Sequence, residues 1–233
     1  MIFLPAIFKN QYVSPTNKHQ TTPPMKITKK TLILLIVAFA AVNLAKAQNV
    51  ISATEPIVNA KVNAGGGLEI VPSASSSAHD FDFLAGKWTM HNKRLKSRLS
   101  HSTEWVEYES TDENMGSVLN GLGNIDFFRT GYNQVNNKPY EGLTVRLFDP
   151  QTRLWSLYWA DSNLGKMDPP VVGSFEGSVG RFYCKDTFKG IPVLVMFMWD
   201  KTDPDNPVWS QAFSTDNGKT WEMNMTNVSH RVK

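Results

Sequence analysis

From residue 87 onward the chain alternates apolar and polar positions with the period of two that marks a half-buried strand. Residues 87–94 alternate around Trp88, Met90, Asn92 and Arg94. Residues 103–110 read Thr-Glu-Trp-Val-Glu-Tyr-Glu-Ser with the same period. Similar or continuously apolar runs fall at 116–119, 125–128, 142–148, 154–160, 171–176, 181–184, 192–199, 209–214 and 220–228. Turn-forming clusters separate many of them. Asp149-Pro150-Gln151-Thr152 and Asp216-Asn217-Gly218-Lys219 are two such connections.

The pattern predicts about nine or ten strands joined mostly by short turns, which is an antiparallel meander. A sheet of that length exposes two edges unless it closes. The expected fold class is therefore all-β: an antiparallel up-and-down barrel, preceded by a signal helix and a disordered linker. A sandwich is the second choice. Residues 93–99 and 163–170 are left as a helical turn or a lid. No repeat unit long enough for a propeller is present.

The stretch His79-Asp80-Phe81-Asp82-Phe83-Leu84-Ala85-Gly86-Lys87-Trp88 marks the change of character. Phe81, Phe83 and Leu84 read as an apolar plug, and Trp88 opens the first long strand. Upstream, residues 25–47 read as a signal peptide. The basic segment Met25-Lys26-Ile27-Thr28-Lys29-Lys30 precedes an apolar run at 32–41 and then Ala45-Lys46-Ala47. Cleavage near Ala47 predicts export, periplasmic or secreted, with no membrane attachment afterwards. Residues 1–24 read as a mis-assigned start. Residues 48–78, rich in small residues and holding Gly65-Gly66-Gly67, read as a flexible linker. The barrel domain is expected over 79–233.

Charge changes the picture once the leader is set aside. The whole chain carries +3. Removing the six lysines of residues 1–47 from 24 basic residues leaves 18 against 21 acidic, a balance of −3. No basic stripe survives, so a nucleic-acid partner is not expected. The lone Cys184 cannot form an internal disulfide and reads as a small apolar side chain. All seven tryptophans lie between Trp88 and Trp221 and are suited to a core or a cavity wall.

The stretch Phe83-Leu84-Ala85-Gly86-Lys87-Trp88 resembles the Gly-x-Trp entry of the calycins, the lipocalin and fatty-acid-binding-protein group. That resemblance implies a tryptophan closing one barrel end, here Trp88, with a basic residue of the last strand, Arg231, packed upon it. Over residues 79–231 the chain also resembles an uncharacterised bacterial calycin-like family of the DUF1579 type. The matching stretches include Ser102-Thr103-Glu104-Trp105, Arg146-Leu147-Phe148-Asp149-Pro150 and Trp155-Ser156-Leu157-Tyr158-Trp159-Ala160-Asp161. Such membership implies a barrel and no established reaction.

Candidate binding residues are Trp105, Arg146, Trp155, Tyr158 and Trp159. In one reading Arg146 holds an anionic head group beside aromatic surface. In the other, Trp155 and Trp159, which share parity, are core, and Arg146 pairs with Asp161 or Glu104. Glu107 and Glu109 read as a solvated outer face. Ser214-x-Asp216-x-Gly218-x-Thr220-Trp221 matches the Asp-box pattern and reads as a structural turn. The histidines have no metal-ligand spacing, so no metal is expected. His230 resembles the histidine of haem-binding barrels such as nitrobindin, but the rest of that motif is not recognisable. No cofactor is expected.

Three functions remain open from the sequence. The first is an exported barrel holding a small, partly apolar ligand. The second is an enzyme using Arg146 with Glu104 or Asp186. The third is a surface-tethered interaction module. Oligomeric state has no signature in the chain.

Overall fold

The computed structural model describes residues 57–233. The proposed start at 1–24, the leader at 25–47 and residues 48–56 lie outside them. A short hairpin, β1 (Ala60–Val62) and β2 (Leu68–Ile70), comes first. Ten strands follow: β3 (Gly86–Leu95), β4 (Trp105–Val118), β5 (Gly123–Thr130), β6 (Tyr140–Asp149), β7 (Leu154–Asp161), β8 (Val171–Glu176), β9 (Val179–Phe188), β10 (Ile191–Asp200), β11 (Val208–Ser214) and β12 (Glu222–Arg231). Each pairs antiparallel with the next, and β12 returns to pair with β3, closing the barrel. Closure leaves these strands no free edge. Among the described residues there is no α-helix, so the turn or lid considered at 93–99 and 163–170 is not helical.

Two expectations are corrected in detail. The runs at 103–110 and 116–119 are one strand, β4, bent at a register shift between Asn114 and Ser117. Gly116, at φ 73°, supplies the left-handed backbone that the bend requires. Second, the described part of the linker is docked. Ile57, Ala60, Val62, Leu68 and Ile70 cover an outer apolar patch of Tyr183, Leu194, Met196, Ala212 and Trp221. Burying that shared surface outweighs the local preference for a loose chain.

One barrel end is sealed. A 3₁₀ turn at Asp82–Leu84 presses Phe81 and Leu84 into it. The Phe81 ring lies 5.0 Å from Trp155, 5.1 Å from Phe175 and 5.7 Å from Phe182. Trp88 donates its indole N–H to the Leu84 carbonyl at 2.7 Å. The Arg231 guanidinium sits 4.2 Å from the Trp88 ring centre, and its nitrogens donate to the Ala85 and Phe83 carbonyls. The loop over 73–77 finishes the seal: Ser73 N–H donates to Ser174 Oγ, and Trp155 Nε1 donates to the Ser77 carbonyl.

The β11–β12 turn is the Asp-box segment. Asp216 accepts from the backbone of Lys219 and Thr220 and from the Thr220 hydroxyl. Those bonds, with Thr220 foremost, pull its carboxyl down to about 2.

Candidate functional site

Alternation along each strand decides what faces the lumen. On β7 to β11 the inward residues include Trp155, Leu157, Val171, Phe175, Phe182, Val193, Val195, Trp199 and Phe213, all in one apolar cluster. On β12, β3, β4 and β5 they include Asn227, Ser229, Asn92, Arg94, Ser110, Asp112, Asn114, Asn124, Asp126 and Thr130, all buried. The lumen thus has one apolar wall and one polar wall, with β6 between them. Tyr108, Tyr140, Thr144, Trp159, Cys184 and Phe197 also lie on the inward parity, yet keep part of their surface accessible.

At the sealed end the charges of the polar wall are paired within the protein. Arg146 Nη1 forms a close ion pair with Asp126 and donates to Asn124 Oδ1 at 2.9 Å. Asn114 and Asn124 exchange amide hydrogen bonds at 2.8 and 2.9 Å. Burial, and then the neighbouring Asp126, push the Asp112 carboxyl up to about 8, so Asp112 keeps its proton at neutral pH. The Arg146 guanidinium also lies 5.1 Å from the Phe81 ring and 5.9 Å from that of Trp199. Its charge is answered within the protein.

Toward the other end the polar wall becomes aromatic and basic. Tyr108 and Tyr132 stack with ring centres 4.5 Å apart. Arg94 Nη2 donates to the Tyr132 hydroxyl at 3.3 Å. Arg98, on the segment between β3 and β4, lies 5.6 Å from the Phe213 ring and 5.8 Å from that of Phe188. Burial, then Arg94, lowers its pKa to about 10. Glu222 spends both carboxylate oxygens on the Leu99 N–H, at 2.8 and 3.0 Å. Phe128, Tyr140 and Trp159 form an aromatic group with ring centres 6.0–6.5 Å apart. Trp159 needs Gly142 on the neighbouring strand, because a Cβ there would lie 2.0 Å from the indole.

Four buried polar atoms on this lumen have no hydrogen-bond partner among the described residues: Asn92 Oδ1, Arg94 Nε, Arg98 Nε and Arg146 Nε. Folded proteins pair nearly all such atoms, because an unmade bond in a dry site costs roughly 1–3 kcal/mol.

The predicted site residues are thereby separated. Arg146, Trp155 and Trp159 face the lumen, but at different depths. Trp155 is 1 % exposed and belongs to the sealed end. Trp159 is half-buried further along. Trp105 and Tyr158 have outward parity on β4 and β7, and Trp105 is 40 % exposed. They are corrected to the outer face, since inward alternation on those strands falls on even positions of β4 and odd positions of β7. The proposed partners of Arg146 are also corrected. Glu104 lies outside, 2.8 Å from Lys96 Nζ, and Asp186 is exposed and accepts from the Thr187 N–H. Asp161, the other partner considered, accepts from the Tyr140 hydroxyl at 3.0 Å. Asp126 and Asn124 hold the arginine instead.

Sequence reasoning missed Arg94, Arg98, Asp112 and Asp126. A signal existed in Asn92-x-Arg94, Ser110-x-Asp112-x-Asn114 and Asn124-x-Asp126, polar at period two. It was masked because Glu107 and Glu109 make the opposite face of the same strand polar too. Cys184 is inward, and burial followed by Asp186 raises its thiol to about 12, so it stays protonated.

No family model matches the chain, and no curated protein matches its sequence. Among solved structures it is similar to the S-type phycobiliprotein lyase of Guillardia theta, with 11 % identity and a TM-score of 0.44. That likeness covers 69 % of this chain and 94 % of the lyase. A likeness this distant carries no argument about ligand or reaction.

Proposed function

We propose that this protein is an exported calycin-like barrel that binds a small, partly apolar molecule in its lumen. The observation that carries this is the set of four unpartnered polar atoms on the wall opposite an aromatic one. A molecule with a polar edge and an apolar body satisfies both walls at once. The half-accessible inward side chains, Trp159 and Phe197 among them, leave it surface to touch. An enzymatic role through Arg146 with Glu104 or Asp186 has lost the cluster it required.

Intrinsic tryptophan fluorescence reports on the lumen, because Trp155, Trp159, Trp199 and Trp209 carry inward parity. Titration with a panel of aromatic compounds, fatty acids and haem is expected to give saturable one-to-one quenching for at least one class. A flat response to every class, together with a crystal structure whose lumen is filled by ordered side chains, rejects the proposal. Export rests on the leader pattern at 25–47. The expected mature N-terminus is Gln48, read by N-terminal sequencing of protein recovered outside the cytoplasm. Recovery of residues 1–24 in that protein rejects the assignment.

A further inference from the structure

We infer that Arg94 and Arg98 form a clamp at the end of the lumen opposite the plug, for the oxyanion of an aromatic ligand. This rests on the lumen being the binding site and names the ligand's class.

The Arg94 charge reaches Arg98, and both side chains are largely out of water; Arg94 is 8 % exposed. Like charges brought together in a low-dielectric site repel unless an anion lies between them. Among the described residues neither makes an ion pair. Glu222, whose charge reaches Arg98, has turned both oxygens to the Leu99 N–H. Among the described residues the Arg94 side chain makes one hydrogen bond, to the Tyr132 hydroxyl, and that of Arg98 makes none. Each keeps an unpartnered Nε. A guanidinium presents its donors as a planar fork, which matches the spacing of two oxygens on a carboxylate, sulfonate or phosphate.

The surroundings name the rest of the molecule. The Phe188 and Phe213 rings, 5.3 Å apart, flank Arg98. The stacked tyrosines carry Arg94. A flat apolar body beside the charged group gains ring contacts on both sides, where a flexible alkyl chain would lose rotamer freedom to gain the same area. At the sealed end Arg146 cannot compete for the anion, because Asp126 already neutralises it.

The test uses two dyes with one ring skeleton. 8-Anilinonaphthalene-1-sulfonate carries a sulfonate, and N-phenyl-1-naphthylamine lacks it. Each is titrated into the purified full chain and into Arg98→Gln and Arg94→Gln. The expected result is that either substitution weakens the sulfonate dye on the order of tenfold or more, the scale of one charge-assisted hydrogen bond. The neutral dye is expected to bind within about twofold of wild type, which also certifies that each variant's barrel is intact. Arg98 lies outside the strands, so its variant keeps the test decisive if Arg94→Gln does not fold. Equal loss of both dyes, or no loss of the sulfonate dye, overturns the clamp and leaves lumen binding standing. Failure of both dyes to bind the wild-type protein overturns both. Displacement of the sulfonate dye by 2-naphthoate against 2-naphthyl phosphate then identifies the oxyanion. Displacement by neither overturns the clamp.

Discussion

The inward side chains of β7 to β11 face those of β12, β3, β4 and β5 across one lumen, and the two walls are stabilised by opposite rules. The apolar wall needs only shape: Phe175, Phe182 and Trp199 gain from any neighbour that excludes water. Full burial of such a side chain stabilises by about 1.5–3 kcal/mol, with no direction required. On the polar wall every atom needs a specific partner. Where a carboxylate answers the buried charge, as Asp126 does for Arg146, the wall is scaffold. Where no carboxylate among the described residues pairs with it, as at Arg94 and Arg98, the wall holds the proposed clamp. Polarity inside a barrel therefore does not by itself point to a ligand; a buried charge without a counter-charge does.

The sharpest way to break that comparison is one substitution on each side of the sealed end. Arg146→Met leaves Asp126 buried and uncompensated beside Asp112, and is expected to cost roughly 3–5 kcal/mol in urea unfolding. Asp126→Asn placed on top of it is expected to recover much of that loss. Phe81→Ala opens a cavity among Trp155, Phe175 and Phe182, and is expected to cost about 3 kcal/mol. A loss below about 1 kcal/mol for Arg146→Met would show that its pair with Asp126 is not the buried scaffold described.

A smaller effect tests the raised carboxyl of Asp112. The ordinary value for Asp112 is 3.8, and its folded value is raised to about 8. A carboxyl raised on folding favours the folded state while protonated. Stability is then full below the unfolded value and falls as pH rises from about 4 to about 8, by on the order of 1 kcal/mol per pH unit. Asp112→Asn keeps a hydrogen-bonding group and removes the titration. Chemical denaturation across that window is expected to give a flatter profile for the variant, and identical slopes would refute the raised carboxyl.

The smallest effects belong to the outer face. Glu104→Gln removes a solvent-exposed pair with Lys96, and Trp105→Ala removes an outward ring. Both are expected to leave binding of the two naphthalene dyes unchanged. A tenfold loss from Trp105→Ala would mean that the ligand sits outside the barrel.

Much of the fold was legible from residue 87 onward, because alternation and turn residues act over a few positions. The strands at 171–176 and 209–214 fall almost where β8 and β11 run. The plug was legible too, since Phe81 and Leu84 sit immediately before Gly86-Lys87-Trp88. The candidate site was legible only in part. Arg146, Trp155 and Trp159 carry inward parity, but Trp105 and Tyr158 do not, and aromatic content alone does not report direction. The docked hairpin at 60–70 was read as linker because its few apolar residues gain little until Tyr183 and Trp221 lie beneath them.

By itself, the sequence determined that this chain makes a long antiparallel meander and where its turns fall, because hydrogen-bonded hairpins form between neighbours. The closed structure decided which of two alternating faces became the inside. It also decided that Arg146 would meet Asp126 while Arg94 and Arg98 would form no ion pair among the described residues. Those outcomes depend on β12 pairing with β3 across nearly the whole described chain, and no local pattern encodes a contact of that span.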